Sequence, residues 1–305
     1  MDWSFERVAG PFDFTEGPAW IGDHLLFTDI PNSRIMRYDP KSGACQEYRT
    51  DTNRANGLTL GRDGRLYACE GGATSLPGSV DPKASSGRRI VRYATGEDTV
   101  SLADTFEGKR LNSPNDIVVK SDGAIYFTDP PYAIQPGVPG MPRGEGWWAN
   151  PIPGKEQSCN GVYRLGPDGT LDLLVDDFAL PNGLAFSPDE SILYVDDSAR
   201  KQIRAFDVGT DGGLSNNRIL LDMSSEDSGV PDGLKVDQEG NVFCTGPGGV
   251  WVCRANGEYL GRIILPELPA NLGWGEDGSV LFLTARTSIY RLQTKTAGAP
   301  PRREW

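Results

Sequence analysis

The sequence lacks the groups on which many hydrolytic sites are built. Its 305 residues include one histidine, His24, and they contain no G-x-S-x-G motif. Ser-His-Asp and Cys-His sites need an imidazole that a further group orients, and the G-x-S-x-G turn presents the nucleophile of many hydrolases. We therefore expect neither triad chemistry nor a zinc centre of several imidazoles. For His24, at the start of a strand, we expect an ordinary structural role.

Cysteine pairs and long apolar runs are also absent. The five cysteines form an odd set without a CxxC spacing: Cys45, Cys69, Cys159, Cys244 and Cys253. Neither a disulfide framework nor a zinc cluster is indicated. The N-terminal residues show no signal peptide, and no apolar stretch approaches the ~20 residues that span a bilayer. The sequence thus predicts a cytoplasmic protein without a membrane partner.

Basic residues are fewer than acidic residues. The chain has 30 Lys and Arg residues against 42 Asp and Glu residues, which gives a formal net charge of −12. Phosphate contacts require a clustered basic surface, so a nucleic-acid partner is disfavoured. The acidity could draw a cation into a negative cleft, or it could serve solubility alone. The sequence does not indicate an oligomeric state.

Turn residues and a repeated hairpin pattern are abundant instead, with 38 Gly and 23 Pro in the chain. The stretch from Leu111 to Tyr132, LNSPNDIVVKSDGAIYFTDPPY, places two runs of β-branched and aromatic residues around an Asp-Gly turn, which is typical of a β-hairpin. The same pattern occurs six times, and each copy begins with an amide or carboxylate residue. These six residues, which we call the ring residues, are Glu16, Asn56, Asn115, Asn182, Asp232 and Asn271.

The repeats predict the fold. Successive ring residues are 39 to 67 positions apart, and repeats of about 40 to 50 residues with four strands each are typical of β-propellers. We predict an all-β, six-bladed β-propeller that forms a single domain over residues 1–305. The last repeat lacks a fourth strand, so residues 4–8 should complete the last blade and close the ring, which hides two sheet edges.

Two insertions interrupt the repeats, at about residues 71–88 and 131–158. Connections of this length are usually functional or disordered. The second contains Tyr132, Trp147 and Trp148 among many prolines, a mixture suited to an ordered lid. The tryptophans could equally serve only to anchor the loop.

The ring residues predict a metal site. In a propeller, the first strands of all blades line the central channel in the same direction, so residues that begin these strands should meet at one mouth. Four of them would supply two carboxylates and two amide oxygens: Glu16, Asn115, Asn182 and Asp232. Such hard oxygen ligands suit Ca²⁺, with Mg²⁺ or Mn²⁺ as alternatives, and Zn²⁺ and Fe²⁺ stay open. Asn56 and Asn271 occupy equivalent positions and are not excluded.

A second interpretation of the ring residues is purely structural. Polar residues at these positions can cap the start of a strand through Asx-turns. Three of them form Asx-Gly pairs before the first apolar run, as Asn56-Gly57, Asn182-Gly183 and Asp232-Gly233. No hairpin requires a glycine there, which distinguishes these pairs from the Asp-Gly turns between two strands.

Several segments together resemble one known family. They are GKRLNSPNDIVVKSDGAIYFTDPPY from Gly108, the Glu16-Gly17-Pro18 tripeptide, LPNGLAFSPD from Leu180, and PDGL from Pro231. This combination is similar to the senescence marker protein/gluconolactonase family, and most similar to bacterial gluconolactonases. The resemblance covers nearly the whole chain apart from the two insertions.

The resemblance implies a six-bladed propeller whose divalent metal supports hydrolysis of sugar lactones. Carried over by position, Glu16, Asn182 and Asp232 would bind the metal, and Asn115 would contact the metal or the substrate. Asp232 would also be the candidate catalytic base. Animal members hold the sugar with an arginine at the position that is Ser113 here. The candidate sugar contacts are therefore Asn115, Ser113, Asp129, Tyr132 and Trp147.

The predicted reaction is hydrolysis of an aldonolactone to the aldonic acid, with the metal polarising the carbonyl group and Asp232 assisting the water. Two alternatives stay open. One is hydrolysis of another ester or an organophosphate at the same calcium site. The other is a propeller scaffold without enzymatic activity, in which the central ion is structural.

Overall fold

The structure, a computed structural model, describes residues 4–72, 87–94, 98–134, 146–149 and 151–299. Most of the insertion at 71–88 and residues 135–145 and 150 of the second insertion lie outside these ranges, so the predicted lid is described only in part. Within the described ranges no helix is long and apolar enough to cross a bilayer. All five cysteines are free, in agreement with the prediction.

Six antiparallel sheets of four strands each form the blades. The N-terminal strand is β1 (Phe5–Ala9). Blade 1 contains β2 (Thr15–Ile21), β3 (His24–Asp29), β4 (Arg34–Tyr38) and β5 (Cys45–Arg49). Blade 2 contains β6 (Ala55–Leu60), β7 (Leu66–Gly71), β8 (Arg88–Tyr93) and β9 (Thr99–Ala103). A two-stranded hairpin, β10 (Thr105–Phe106) and β11 (Lys109–Arg110), follows.

The remaining blades repeat the arrangement. Blade 3 contains β12 (Ile117–Val119), β13 (Ile125–Asp129), β14 (Asn160–Leu165) and β15 (Leu171–Phe178). Blade 4 contains β16 (Pro181–Phe186), β17 (Ile192–Asp197), β18 (Gln202–Val208) and β19 (Leu214–Asp222). Blade 5 contains β20 (Leu234–Val236), β21 (Val242–Gly246), β22 (Gly249–Cys253) and β23 (Tyr259–Ile263). Blade 6 contains β24 (Asn271–Gly275), β25 (Val280–Ala285) and β26 (Ser288–Gln293). Short 3-10 turns occur at Ile30–Asn32 and Trp147–Ala149.

The N-terminal strand closes the ring. Strand β1 pairs antiparallel with β26, with Phe5 opposite Leu292 and Arg7 opposite Tyr290. It is thereby the outer strand of blade 6, as predicted from the missing fourth strand of the last repeat. The six-bladed propeller prediction is confirmed. This pairing joins the two ends of the chain and covers the edge of β26 that would otherwise be open.

Burial falls from the inside of each blade to its outside. The first strands contact each other around the axis in the order β2, β6, β12, β16, β20, β24 and back to β2. The second strands are almost entirely buried, as in the uniformly buried β13 and β25, whereas outer strands such as β5 and β19 are mostly exposed or half-buried. Ring residues at the start of the first strands are therefore held by the most rigidly packed part of the fold.

Six apolar clusters fill the six interfaces between neighbouring blades. Alternation along each strand sends successive side chains to opposite neighbours. In β3, for example, Leu26 packs against blade 2, while Leu25 and Phe27 pack against blade 6. This explains why the second strands are apolar at nearly every position, since both of their faces are covered.

Candidate active site

The ring residues lie at the starts of the six first strands. Four of them are buried, and Asn56 and Asp232 keep part of their surface exposed. Hydrogen bonds connect this layer from blade to blade. They are Thr28 Oγ1 to Asn56 O (3.1 Å), Gly57 N to Asn115 O (2.8 Å), Thr128 Oγ1 to Asn182 O (2.8 Å), Gly183 N to Asp232 O (2.6 Å), Gly233 N to Ala270 O (2.8 Å) and Asn271 Nδ2 to Glu16 Oε2 (2.8 Å). The sequence-predicted convergence of ring residues thus has a physical basis in the contacts between blades.

The glycine after a ring residue allows this close approach. A Cβ atom at Gly183 would clash with Asp232 O of the next blade, and one at Gly17 would clash with Asn56 O. Gly17 also has a φ of +52°, which L-residues with side chains adopt at a cost. The glycines that no hairpin requires are therefore explained by packing at the axis. They bring neighbouring ring residues within hydrogen-bonding distance of one another.

Glu16 is a buried carboxylate with one free oxygen. Its Oε2 accepts hydrogen bonds from Gly17 N (2.7 Å) and Asn271 Nδ2 (2.8 Å). Its Oε1 accepts no hydrogen bond from the described residues. Burial raises the pKa of Glu16 to about 7, opposed by the Gly17 N–H, and the nearby Asp116 charge adds to the increase. Without a cation at Oε1, the ionised form is therefore disfavoured.

Asp232 faces the same region. The surrounding protein desolvates its carboxyl group and raises the pKa well above the usual range, and the charges of Glu16 and Asp116 raise it further. The amide of Asn182 acts in the opposite direction. Part of Asp232 is nevertheless accessible, so a small molecule can reach it. Glu16 and Asp232 are thus two desolvated carboxyl groups that repel each other when both are ionised.

The amide of Asn182 has a defined orientation. Its Nδ2 donates to Ser198 Oγ (3.0 Å), and Ser198 Oγ in turn donates to Pro231 O (2.6 Å). Because the single hydroxyl proton of Ser198 is used by Pro231 O, Ser198 must accept from Asn182. The Asn182 Oδ1 atom is left free to bind a cation. Ser198 is thus a supporting residue, because it holds the Nδ2 atom of Asn182 while the Oδ1 atom is the candidate ligand.

The other three asparagines of the ring differ in their contacts. Asn271 uses both amide atoms, since Nδ2 donates to Glu16 and Oδ1 accepts from Leu272 N (2.8 Å). It therefore braces Glu16 and has no free amide atom for a ligand. The side chains of Asn115, which is buried, and Asn56, which is partly exposed, make no hydrogen bond with the described residues. Asn115 thus has the free side-chain amide expected of a metal ligand. For Asn56, the sequence alternative of a ligand role stays open.

These donors fit a divalent cation that prefers oxygen ligands. Free oxygens on Glu16, Asn115, Asn182 and Asp232 are available in one layer, and two carboxylates would balance two positive charges. Within the described part of the chain, no three carboxylate, imidazole or thiol groups are close enough to form a metal site by themselves. The predicted set is of another kind, since half of it consists of amides. Its assignment as a metal site stays a prediction.

Two further carboxylates lie near the ring and were not predicted. Asp116 is 2% exposed, and its Oδ2 makes no hydrogen bond. Asp196 is 0% exposed, its Oδ1 makes no hydrogen bond, and burial together with the charges of Asp232 and Asp116 raises its pKa well above the usual range. The sequence carries a signal for Asp196, because the matching position is a threonine in four of the five other second strands. These threonines are Thr28, Thr128, Thr245 and Thr284.

The predicted sugar contacts are not equivalent. Asp129 is 0% exposed, and both of its carboxylate oxygens accept backbone hydrogen bonds, from Asn112 N and Ser113 N (2.7 Å each). Asp197 does the same at the end of its second strand, with Ala179 N and Leu180 N, and Asp29 accepts from Asp13 N and Phe14 N with Oδ1 alone. We call these three residues the brace carboxylates. The contacts of Asp129 favour a structural role over the predicted one.

Tyr132 and Trp147 belong to the described parts of the second insertion, and Ser113 contacts its start. Ser113 Oγ accepts a hydrogen bond from Ala133 N (3.0 Å), so Ser113 fixes the start of the insertion. The rings of Tyr132 and Trp147 are 5.9 Å apart, and Trp148 contacts Trp147 edge to face. Both Tyr132 and Trp147 are partly exposed. Their roles in substrate binding stay predictions.

Comparisons with known proteins agree with the geometry. The sequence profile of the SMP-30/Gluconolactonase/LRE-like region matches residues 14–287. A gluconolactonase from Zymomonas mobilis is 34% identical, over 96% of this chain and 82% of its own length. A pentonolactonase from Haloferax volcanii is 24% identical, over 82% of this chain and 73% of its own length.

A solved structure has the same fold as this chain. The gluconolactonase of Xanthomonas campestris is 31% identical, and the two structures superpose with a TM-score of 0.79 over 96% of this chain and 90% of that chain. The profile match includes every ring residue from Glu16 to Asn271. The chain belongs to the SMP-30/gluconolactonase family.

Proposed function

We propose that this protein is a lactonase, a hydrolase acting on esters, that opens sugar lactones with the help of a bound divalent cation. Its similarity to named gluconolactonases over 96% of the chain supports lactone hydrolysis, with gluconolactone as the first substrate to test. The observation that carries the metal requirement is the pair of desolvated carboxyl groups, Glu16 and Asp232. Each raises the energy of the other's ionised form, and free oxygens of two amides lie in the same layer.

In this proposal, Glu16, Asn115, Asn182 and Asp232 hold the cation. Ca²⁺ fits the oxygen donors best, and Mg²⁺ or Mn²⁺ are alternatives. When bound, such a cation supplies electrophilic stabilisation of the negative charge that develops on the lactone carbonyl oxygen. The supporting residues Asn271 and Ser198 keep Glu16 and Asn182 in place by hydrogen bonds to their second polar atoms.

The protein's own residues activate the water and transfer its proton. Asp232 takes a proton from the water that adds to the carbonyl carbon, which is a role suited to a carboxyl group with a raised pKa. The C–O bond between the carbonyl carbon and the oxygen of the lactone ring breaks, and this oxygen receives a proton to give the hydroxy acid. In this proposal the amide of Asn115 also orients the lactone, and the partly exposed Tyr132 and Trp147 cover the sugar.

The test measures acid release from gluconolactone by the purified protein, corrected for spontaneous hydrolysis without protein. Activity should disappear after treatment with a chelator and return on addition of Ca²⁺, Mg²⁺ or Mn²⁺. A rate that is unchanged after complete metal removal would contradict the metal requirement. An absence of activity on every lactone, combined with cleavage of other esters or organophosphates, would contradict the substrate class.

A matched pair of variants connects activity to the ring. Glu16→Gln should weaken binding of Ca²⁺ by at least about 100-fold, because one of two charged ligands is lost. Glu258 is an exposed glutamate before the outer strand of blade 5, 59% exposed in its ion pair with Arg254. Glu258→Gln should leave both Ca²⁺ affinity and activity unchanged. Equal effects of the two substitutions would reject the site.

A further inference from the structure

One lysine reaches the carboxylates of the ring from inside the channel. Lys235 lies in β20, three residues after Asp232, and its side chain is 24% exposed. Its Nζ is 3.8 Å from Asp116 Oδ2 and donates a hydrogen bond to Leu234 O (2.9 Å). Asp116 Oδ2 has no hydrogen-bonding partner. The Lys235 ammonium is therefore its nearest countercharge.

Lys235 departs from the repeat. The residue three positions after the ring residue is uncharged in the five other blades: Ala19, Thr59, Val118, Ala185 and Trp274. These positions belong to the wall of an axial cavity of about 240 Å³ that all six first strands line. Among the described residues of this wall, Lys235 is the one cationic side chain. A lysine is thus placed where the architecture otherwise puts small or apolar side chains.

The surrounding charge is strongly negative. The charge of Asp116 raises the pKa of Glu16, Asp196 and Asp232, and all of these carboxylates except Asp232 are at most 3% exposed. The charge of Lys235 acts on this group beyond Asp116, since it favours the ionised form of Glu16. In a poorly solvated interior, charges separated by several ångströms still interact strongly. A cation bound by the ring and the Lys235 ammonium would share one set of carboxylates and repel each other.

We infer that Lys235 is a positioning residue that acts as a built-in countercharge to the ring, stabilising its carboxylates in the metal-free protein and limiting the affinity for the divalent cation. The inference rests on the proposed metal site for its second part only. Lys235 stabilises the carboxylate cluster before the metal arrives. When the metal is bound, the ammonium weakens its binding by electrostatic repulsion.

The test is calorimetric titration of metal-free protein with CaCl₂, and separately with MnCl₂, at pH 8. Lys235→Met removes the charge and keeps much of the apolar stem, so Ca²⁺ should bind at least about tenfold more tightly, or about 1.4 kcal/mol. Lys235→Arg keeps the charge and should stay within about threefold of the original affinity. Unchanged or weaker Ca²⁺ binding by K235M would overturn the inference.

Lys120 provides the matched control. It lies just after β12, its side chain is 17% exposed, and its partners are Asp122 and Glu190, which do not belong to the ring. Lys120→Met should leave the Ca²⁺ affinity unchanged. If K120M tightens Ca²⁺ binding as much as K235M, a general change in protein charge explains the effect and the inference fails.

Thermal unfolding of the metal-free protein separates this inference from the proposed function. K235M should lower the midpoint by several degrees, and the double variant K235M/D116N should recover most of that loss, because the unpaired carboxylate is removed with its countercharge. If the original protein binds no divalent cation, the proposed function fails. The thermal unfolding experiment then decides by itself whether Lys235 stabilises the carboxylates. The role of Lys235 would be rejected if the double variant shows no recovery of the midpoint. It would also be rejected if neither K235M nor K235M/D116N folds.

Discussion

Two sets of desolvated carboxylates in this molecule differ in the donors and charges that surround them. The brace carboxylates Asp29, Asp129 and Asp197 end three second strands and are 0% exposed. Each accepts backbone hydrogen bonds from the loop that leads into its own blade. The ring carboxylates Glu16 and Asp232 begin first strands, where the charges of neighbouring carboxylates add to the effect of burial and raise the pKa of both.

The difference shows that desolvation alone does not identify a functional carboxylate. At the braces, N–H groups take the place of water, and hydrogen bonds to the charged form offset part of the lost hydration, although burial still raises the pKa of Asp129 to about 7. At the ring, only one oxygen of Glu16 receives donors, and the Glu16 and Asp232 carboxyl groups repel each other. A site with this imbalance is held together by the rest of the fold, and a cation can relieve it.

The sharpest test of this contrast replaces one ring carboxylate. Asp232→Asn should lower the turnover of gluconolactone by about 10³-fold or more, because the candidate base and one ligand are lost together. The unfolding midpoint without metal should stay the same or rise, because a repulsive pair is removed. Activity assays and thermal unfolding of the same preparation check both results. A stable Asp232→Asn variant with full turnover would remove Asp232 from the site.

The matched change at a brace should act mainly on stability. Asp197 accepts hydrogen bonds from Ala179 N (2.9 Å) and Leu180 N (3.1 Å). Asp197→Asn turns an amide N–H group toward these donors and should destabilise the fold by about 2–3 kcal/mol. This corresponds to a fall of roughly 4–9 °C in the midpoint of thermal unfolding. If Asp197→Asn and Asp232→Asn changed stability in the same direction, the contrast between braces and ring would be lost.

The pH dependence of the metal-free protein sharpens the contrast further. The pKa of Glu16 is raised from 4.5 to about 7 in the folded state, mainly by burial. A carboxyl group that holds its proton more tightly when folded favours folding below pH 4.5, and this contribution is lost as the pH rises to about 7. With a chelator present, stability should therefore fall across this range. Denaturant titrations from pH 4.5 to 7.5 would measure it, and Glu16→Gln should make the decrease smaller, while Asp129, whose pKa burial also raises to about 7, continues to contribute.

The smallest effect is expected at Ser113, which belongs to neither set. Ser113→Ala removes the hydrogen bond from Ala133 N to Ser113 Oγ and should cost about 1 kcal/mol. Because this bond fixes the start of the second insertion, the loss should raise the KM for gluconolactone severalfold and leave kcat nearly unchanged. A large decrease in kcat would instead place Ser113 in contact with the reacting atoms. Steady-state kinetics of the variant distinguish the two results.

Most of the fold followed from the repeats. Six copies of one hairpin pattern predicted six blades, and a last repeat without a fourth strand predicted the pairing of β1 with β26. The braces were missed, because an aspartate after an apolar run has the same appearance whether it accepts N–H groups or faces a ligand. Asp129 was accordingly interpreted as a sugar contact, although both of its oxygens are used by Asn112 N and Ser113 N.

The candidate site followed from the sequence only as a set of positions. Periodicity determined that six polar residues begin the six inner strands, because the strand pattern repeats around one axis. It did not determine which of them keep a free oxygen. That was decided by contacts between blades, such as the hydrogen bond between Asn271 and Glu16 across 255 positions of the chain. Such contacts form only when the ring closes, so they distinguish residues that the repeat makes equivalent.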